Sequence, residues 1–273
     1  MSPSPIAPAL GFEAGIETLA EVVSTLGTDR FPAALTALLR RVAPVIDTVV
    51  VTLVQGEGRP VTLYHELEPD QVPICTDLYE GGAYLLDPFV HALRRGLPGG
   101  VYRLDDVAPD NFRRGEYYRT FYKLLRLSDE VSMNVILEGG RAIFLSLATA
   151  PDASVFSRRT VATLQGVFPL VAALVVRHWG EAGRRRADPP GGRPVGQDPM
   201  ERLAGGLLSA RERDVLKLVL EGYSSGAVAL RLGIAEGTVK VHRRHAYAKL
   251  RLGGQAELFA RYMAVVLEGA GEA

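Results

Sequence analysis

Gly222-Tyr223-Ser224-Ser225-Gly226 has the G-x-S-x-G spacing of a nucleophile elbow. An elbow lifts its serine on a sharp turn after a strand. Here Ser209 to Leu220 comes first, with apolar residues at helical spacing, so Ser224 reads as a helix start and not as a nucleophile. His242 and His245 could meet a metal from one helix, but no Cys, Asp or third His stands at suitable spacing. Neither an enzyme nor a metal site is expected, and no cofactor. The stretch from Lys240 to Arg251 offers different chemistry: Lys240, Arg243, Arg244, Lys249 and Arg251 are basic and none of its residues is acidic. On a helical wheel Val239, Ala246 and Leu250 share one side, with His242 and the Arg243 stem at its edges. Lys240, Val241, Arg244, His245 and Ala248 share the other. A narrow, cationic, donor-rich face suits an α-helix entering the major groove of DNA. The plainer alternative is an ordinary solvated helix face.

Several elements must hold that helix, read as Glu236 to Leu250. Ser209-Ala210-Arg211-Glu212 is a capping box, and Val215, Leu216, Val219 and Leu220 give the helix after it a buried stripe ended by Gly222. Ser224 caps a second helix whose Val228, Ala229 and Leu232 face inward, and Gly233 suits the turn that ends it. Ile234 fills the corner. After Gly253-Gly254 a last helix carries Leu258, Phe259, Tyr262, Met263, Val266 and Leu267.

This region resembles the LuxR-type C-terminal domain, also found in FixJ- and NarL-like response regulators. The resemblance rests on Leu208-Ser209, Arg211-Glu212, Val215-Leu216, Gly222, Ser224, Ala229, Leu232-Gly233-Ile234, Thr238-Val239-Lys240, His242 and Lys249-Leu250. It implies a four-helix helix-turn-helix domain that binds double-stranded DNA as a homodimer, through the last helix with Leu258, Phe259, Tyr262, Met263 and Val266. It implies that Lys240, Val241 and Arg244 reach bases, and that Thr238, Arg243 and Lys249 meet the backbone. His245 points to DNA by its place on the wheel. Three departures stand out. Ala235 sits where a capping Ser or Thr is usual, Ser224-Ser225-Gly226-Ala227 replaces Ser-Asn-Lys-Glu, and Gln255 replaces a common Arg.

The chain of 273 residues is long enough for two domains, and 47% apolar residues can build their cores. Basic and acidic residues balance at 31 each, so a basic footprint for DNA is local. Cys75 is the single cysteine, which excludes an internal disulfide; it reads as a small core hydrophobe in a reducing compartment. No basic stretch precedes an apolar run at the start, and Val167 to Val176 is too short for a membrane span. A cytoplasmic protein is expected.

Residues 1–14 read as a loose tail and 181–202, dense in Pro, Gly and Arg, as a linker. Arg184–Arg186 within it is a solvated face or a source of extra phosphate contacts. The region 15–180 reads as an α+β sensor domain. Helical spacing marks Ile16 to Leu26 and Phe31 to Val42. Asp47 to Val54 and Pro60 to Leu67 form one hairpin, Val131 to Leu137 and Arg141 to Ala148 another. The pattern from Gln71 to Arg95 is a broken helix restarted at Asp87-Pro88, and VYRL is a short strand. Glu116 to Leu127 is a helix, and Ser157 caps a long one that bends at Pro169. The expected fold is an antiparallel sheet with flanking helices, then an all-α domain at 203–273.

A phospho-receiver does not fit, because the region lacks the late Lys-Pro. Tyr84-Leu85-Leu86-Asp87-Pro88-Phe89-Val90, with Pro98 and Tyr102, resembles a run in the acyl-homoserine-lactone domain of quorum-sensing regulators. That resemblance implies an aspartate on the ligand amide and aromatics around it, although the expected Trp is missing. The layout also resembles GAF- or PAS-like sensors. The ligand candidates are Tyr64, Tyr84, Asp87, Tyr102, Tyr118 and Tyr122, against the alternative of core aromatics and a helix cap. The expected function is a DNA-binding transcriptional regulator controlled by a small molecule or partner. The competing expectation is an interaction protein whose helix-turn-helix only dimerises.

Overall fold

The computed structural model describes residues 12–55, 58–151, 153–180 and 198–271. They form two compact units that do not follow the linear boundary. Of the described residues, one takes those up to 70, those from 96 to 106 and those from 126 to 180; the other takes 71–95, 107–125 and 198–271. Residues 1–11 of the expected tail and Arg184–Arg186 lie outside the described residues, whereas residues 12–14, expected in the tail, are the start of the helix Phe12–Ser24.

The first unit is α+β. It holds helices α1 (Phe12–Ser24) and α2 (Phe31–Val42), strands β1 (Thr48–Gln55) and β2 (Val61–His65), and β3 (Gly100–Arg103). Strands β4 (Glu130–Ile136) and β5 (Arg141–Ala148) follow. All five pair antiparallel in the order β2-β1-β5-β4-β3. Both expected hairpins are present. Side chains alternate across a strand, so cross-strand partners share a face. Val51, Leu145, Met133 and Val101 line one face and join the core built with the helices.

The long helix of this unit, Arg158–Trp179, has Ser157 as N-cap, its Oγ accepting the Thr160 N–H at 3.0 Å. Phe156 and Val161 are both buried at its start, as the staple requires. No charged residue stands between Arg159 and Arg177, and the helix is long and apolar enough to cross a membrane. The apolar run Val167 to Val176 is only part of this helix. Its Val161, Leu164, Val171, Val175 and Trp179 enter the core of the sheet unit, while Leu170 and Val176 are exposed.

The second unit is helical. Its first part contains a π-turn at Ile74–Tyr79 and a 3-10 turn at Ala83–Leu86. A helix at Pro88–Arg94 follows, and then a second π-turn, Tyr118–Tyr122, inside the helix expected over 116–127. Numbering on from α1 and α2, Pro88–Arg94 is α3 and Arg158–Trp179 is α4. The C-terminal part adds α5 (Pro199–Ala204), α6 (Ala210–Glu221), α7 (Ser225–Leu232), α8 (Glu236–Leu250) and α9 (Gln255–Gly271).

Helix α5 occupies the end of the expected linker. Asp198 caps it, accepting the Met200 N–H at 2.9 Å, Pro199 takes its first turn and Met200 is fully buried. Gly222 ends α6 at φ +99°, a left-handed conformation that glycine adopts without steric cost. Gly82 lies against α9 so closely that an added Cβ would stand 2.0 Å from Val266 Cγ1.

Candidate nucleic-acid interface and ligand site

Helix α8 is held by packing on one side only. Val239, Ala246 and Leu250 are buried. Thr238, Lys240, Val241, Arg244, His245 and Ala248 are exposed, as the wheel predicts. Lys240 makes an i,i+4 pair with Glu236 at 2.7 Å, both ends solvated, which presets the lysine on the helix surface at little cost. Among the described residues, neither Arg244 nor His245 forms an ion pair. Arg243 is half-buried with its guanidinium 6.0 Å from the Tyr247 ring centre.

Lys249 departs from expectation. Its Nζ donates to Glu212 Oε2 at 2.7 Å and ties the end of α8 to the start of α6. A lysine anchored to a buried carboxylate positions the helix, so its ammonium already has a partner within the chain. Glu212 also closes the capping box: it accepts the Ser209 N–H at 2.8 Å while Ser209 Oγ accepts the Glu212 N–H at 3.2 Å. Burial pushes the Glu212 carboxyl up, but the Lys249 and Ser209 donors outweigh it and hold the pKa at about 2. Ala235 makes no side-chain cap at the start of α8, as its methyl dictates.

The dimer face assigned to α9 is engaged within the chain. Leu258, Tyr262, Met263 and Val266 are buried and Phe259 is half-buried, with α9 packed on α5 and α6. In this form those side chains cover their own core instead of standing free for a second copy. The sequence pattern showed an apolar stripe but could not say what it covers.

The ligand candidates separate. Tyr64 shares a face with Val51 and packs against the helix-covered core. Its hydroxyl donates to Glu66 Oε1 at 3.1 Å, and Arg40 grips the same carboxylate at 2.6 Å. Burial and the Glu66 charge push the Tyr64 hydroxyl up to about 12. Tyr102 pairs across from Ser132, on the opposite face of the sheet. The two tyrosines therefore cannot line one cavity, and Tyr64 belongs to an ion-pair brace.

Asp87 is the N-cap of α3, as its place before Pro88 predicts. One oxygen accepts the Phe89 N–H and the other the Tyr79 hydroxyl, each at 2.7 Å. Burial raises its pKa against these donors. With both oxygens engaged, Asp87 serves the fold. Tyr84 is buried beneath Arg94, whose guanidinium is 5.7 Å from the ring centre. Tyr118 stacks on Tyr122 at 4.6 Å. The π-turn that brings these two rings together also contains Phe121.

The face of the sheet that carries Tyr102 also carries two polar residues of β4. Ser132 and Asn134 alternate with Val131, Met133 and Val135 and so point away from the helix-covered core. Both are buried, and Ser132 Oγ donates to Asn134 Oδ1 at 2.5 Å. Asn134 Nδ2 has no hydrogen-bond partner among the described residues. Turning the amide over would only move the deficit to its oxygen. A buried amide with half its capacity unused costs about 1–3 kcal/mol, and an acceptor brought by a ligand would relieve it. The signal was legible: serine and asparagine interrupt an otherwise apolar strand in the pattern Val-Ser-Met-Asn-Val.

Comparison with known proteins adds to this geometry. A family described as bacterial regulatory proteins, luxR family, matches residues 206–262. A protein of Aeromonas salmonicida described as an HTH-type transcriptional regulator in the exeN 3' region is 37% identical over 183 residues, covering 65% of this chain and 93% of that protein. The nitrate/nitrite response regulator protein NarL of Escherichia coli strain K12 is 46% identical over 50 residues, which cover 18% of this chain and 23% of NarL. Among solved structures, the VqsR LBD domain from Pseudomonas aeruginosa matches with a TM-score of 0.54 at 28% identity, over 61% of this chain and 96% of that one.

Proposed function

Because the chain belongs to the LuxR family of bacterial regulatory proteins, we propose that it binds specific DNA sequences as a cytoplasmic homodimer and that a small molecule at its α+β unit controls the binding. The observation that carries the DNA reading is the exposed set Lys240, Val241, Arg244 and His245 on a helix anchored by Val239, Ala246 and Leu250. Lys240 and Arg244 offer cationic donors to base edges, and Val241 offers a methyl surface to thymine. Thr238 and Arg243 flank them toward the phosphates. The Ser132–Asn134 pair supports the ligand reading, since its unused amide capacity asks for a hydrogen-bonding guest. Such a guest controls DNA binding only if it favours one conformation over another.

The test uses full-length protein and duplexes selected from a random pool. Arg244→Glu should weaken binding about tenfold or more while the thermal midpoint stays put. Equal affinity in the variant would overturn the assignment of α8. Lys240→Ala should cost about 1–3 kcal/mol of binding to the selected duplex and relax specificity at the base pair it reads.

A further inference from the structure

We propose that residues 110–112 form a latch that occupies the start of α7 and withholds it from the DNA backbone. The proposal rests on the reading of α8 as the DNA-contacting helix. The Asp110 carboxylate accepts both the Ser224 N–H, at 3.0 Å, and the Ser224 Oγ–H, at 2.5 Å. The next residue, Asn111, donates its N–H to the Gly222 carbonyl at 3.1 Å. Phe112 is buried, and a Cβ added to Gly222 would lie 2.8 Å from Phe112 Cα. Three consecutive residues thus follow the corner between α6 and α7, and Gly222 allows the close approach.

That corner lies beside the recognition helix. A Cβ added to Gly226, in the first turn of α7, would lie 3.9 Å from Glu236 Oε2, and Glu236 is the partner of Lys240. A duplex seated on Lys240 and Arg244 would therefore pass the start of α7. Helix N-termini attract anions because their first N–H groups lack partners and the helix dipole is positive there. Ser224 would present a phosphate with one N–H and one hydroxyl. In this structure Asp110 holds both donors and sets a negative charge in the phosphate path. The Ser224 hydrogen bonds outweigh burial and hold the Asp110 carboxyl below its ordinary range, so the latch is charged at neutral pH.

Helix α8 stays exposed while this contact is made, so the latch weakens binding without abolishing it. Apparent affinity is the intrinsic affinity scaled by the fraction of molecules with the latch released. A signal that moves residues 110–112 would raise affinity without touching α8.

The test measures fluorescence anisotropy of a random-sequence duplex with the full chain as wild type, Asp110→Asn and Asp110→Ala, each with and without Arg244→Glu. Hydrogen exchange of the peptide spanning 219–228 is followed in parallel. Asp110→Ala should bind about three- to tenfold tighter than wild type, with Asp110→Asn between them and faster exchange in both variants. Equal or weaker affinity in both Asp110 variants, with Arg244→Glu still weakening binding about tenfold or more, overturns the latch and leaves the assignment of α8 standing. Unchanged exchange overturns the latch as well. Absence of duplex binding in every variant overturns the assignment of α8, and the latch with it.

Discussion

Glu212 shows how one side chain is shared between helices. Its carboxylate joins the capping box of α6 to Lys249 at the end of α8. The acid's pKa lies at about 2, below its ordinary 4.5, so it stabilises the fold above its unfolded pKa, and that contribution disappears as pH falls toward 2. Asp87 and Glu221, raised by burial, act with the opposite sign, so the difference between variants isolates Glu212. The thermal midpoint of wild type relative to Glu212→Gln should shrink steadily from about pH 5 to pH 2. Glu212→Ala should cost on the order of 1–2 kcal/mol in chemical denaturation. Conversely, Ser132→Ala with Asn134→Leu removes an unsatisfied amide and should leave the midpoint equal or higher while abolishing any ligand response. A helical wheel ranks Lys249 with the free cations because it cannot see Glu212, which meets it only after folding. The surroundings of Tyr64 were hidden for a similar reason: its face depends on strand pairing and on the irregularity between Val51 and Thr52.

Among the elements, periodicity served best where one side faces a core. Helices α1, α2, α4 and α6 to α9 and both hairpins stand close to where the pattern puts them. Caps were equally legible: Asp87, Ser157, Ser209 and Ser224 all accept the backbone N–H groups that their positions imply. Helix α5 was missed although Asp198-Pro199 repeats the Asp87-Pro88 signal, because the Pro and Gly around it outweighed a motif two residues long. The π-turns were illegible, since the extra residue of a π-turn leaves no mark in a pattern read at helical spacing. Helix α8 ends on Arg251 in the left-handed conformation rather than on Gly253 or Gly254. It also begins without a cap. Ala235→Ser should add about 1 kcal/mol to stability, read as a higher thermal midpoint, and should not weaken DNA binding.

For the whole molecule, the sequence suggested an α+β region followed by a helical one, and both architectures are present. What it could not suggest is that 71–95 and 107–125, inside the presumed sensor stretch, share a compact unit with the C-terminal helices. Apolar patterning tells which side chains seek cover and is silent on which segment supplies it. Gly82 marks the tightest such cover. At φ +150° it offers α9 a bare backbone, and Val266 fills the space where any other residue would place its first carbon. Methylating that position, as Gly82→Ala, would act as a wedge beneath the last helix. Tyr262 and Val266 would be pried from their seat, and sedimentation should register more two-chain species than in the parent. A single hydrogen atom would then set how often the tail of this chain is free to find a twin.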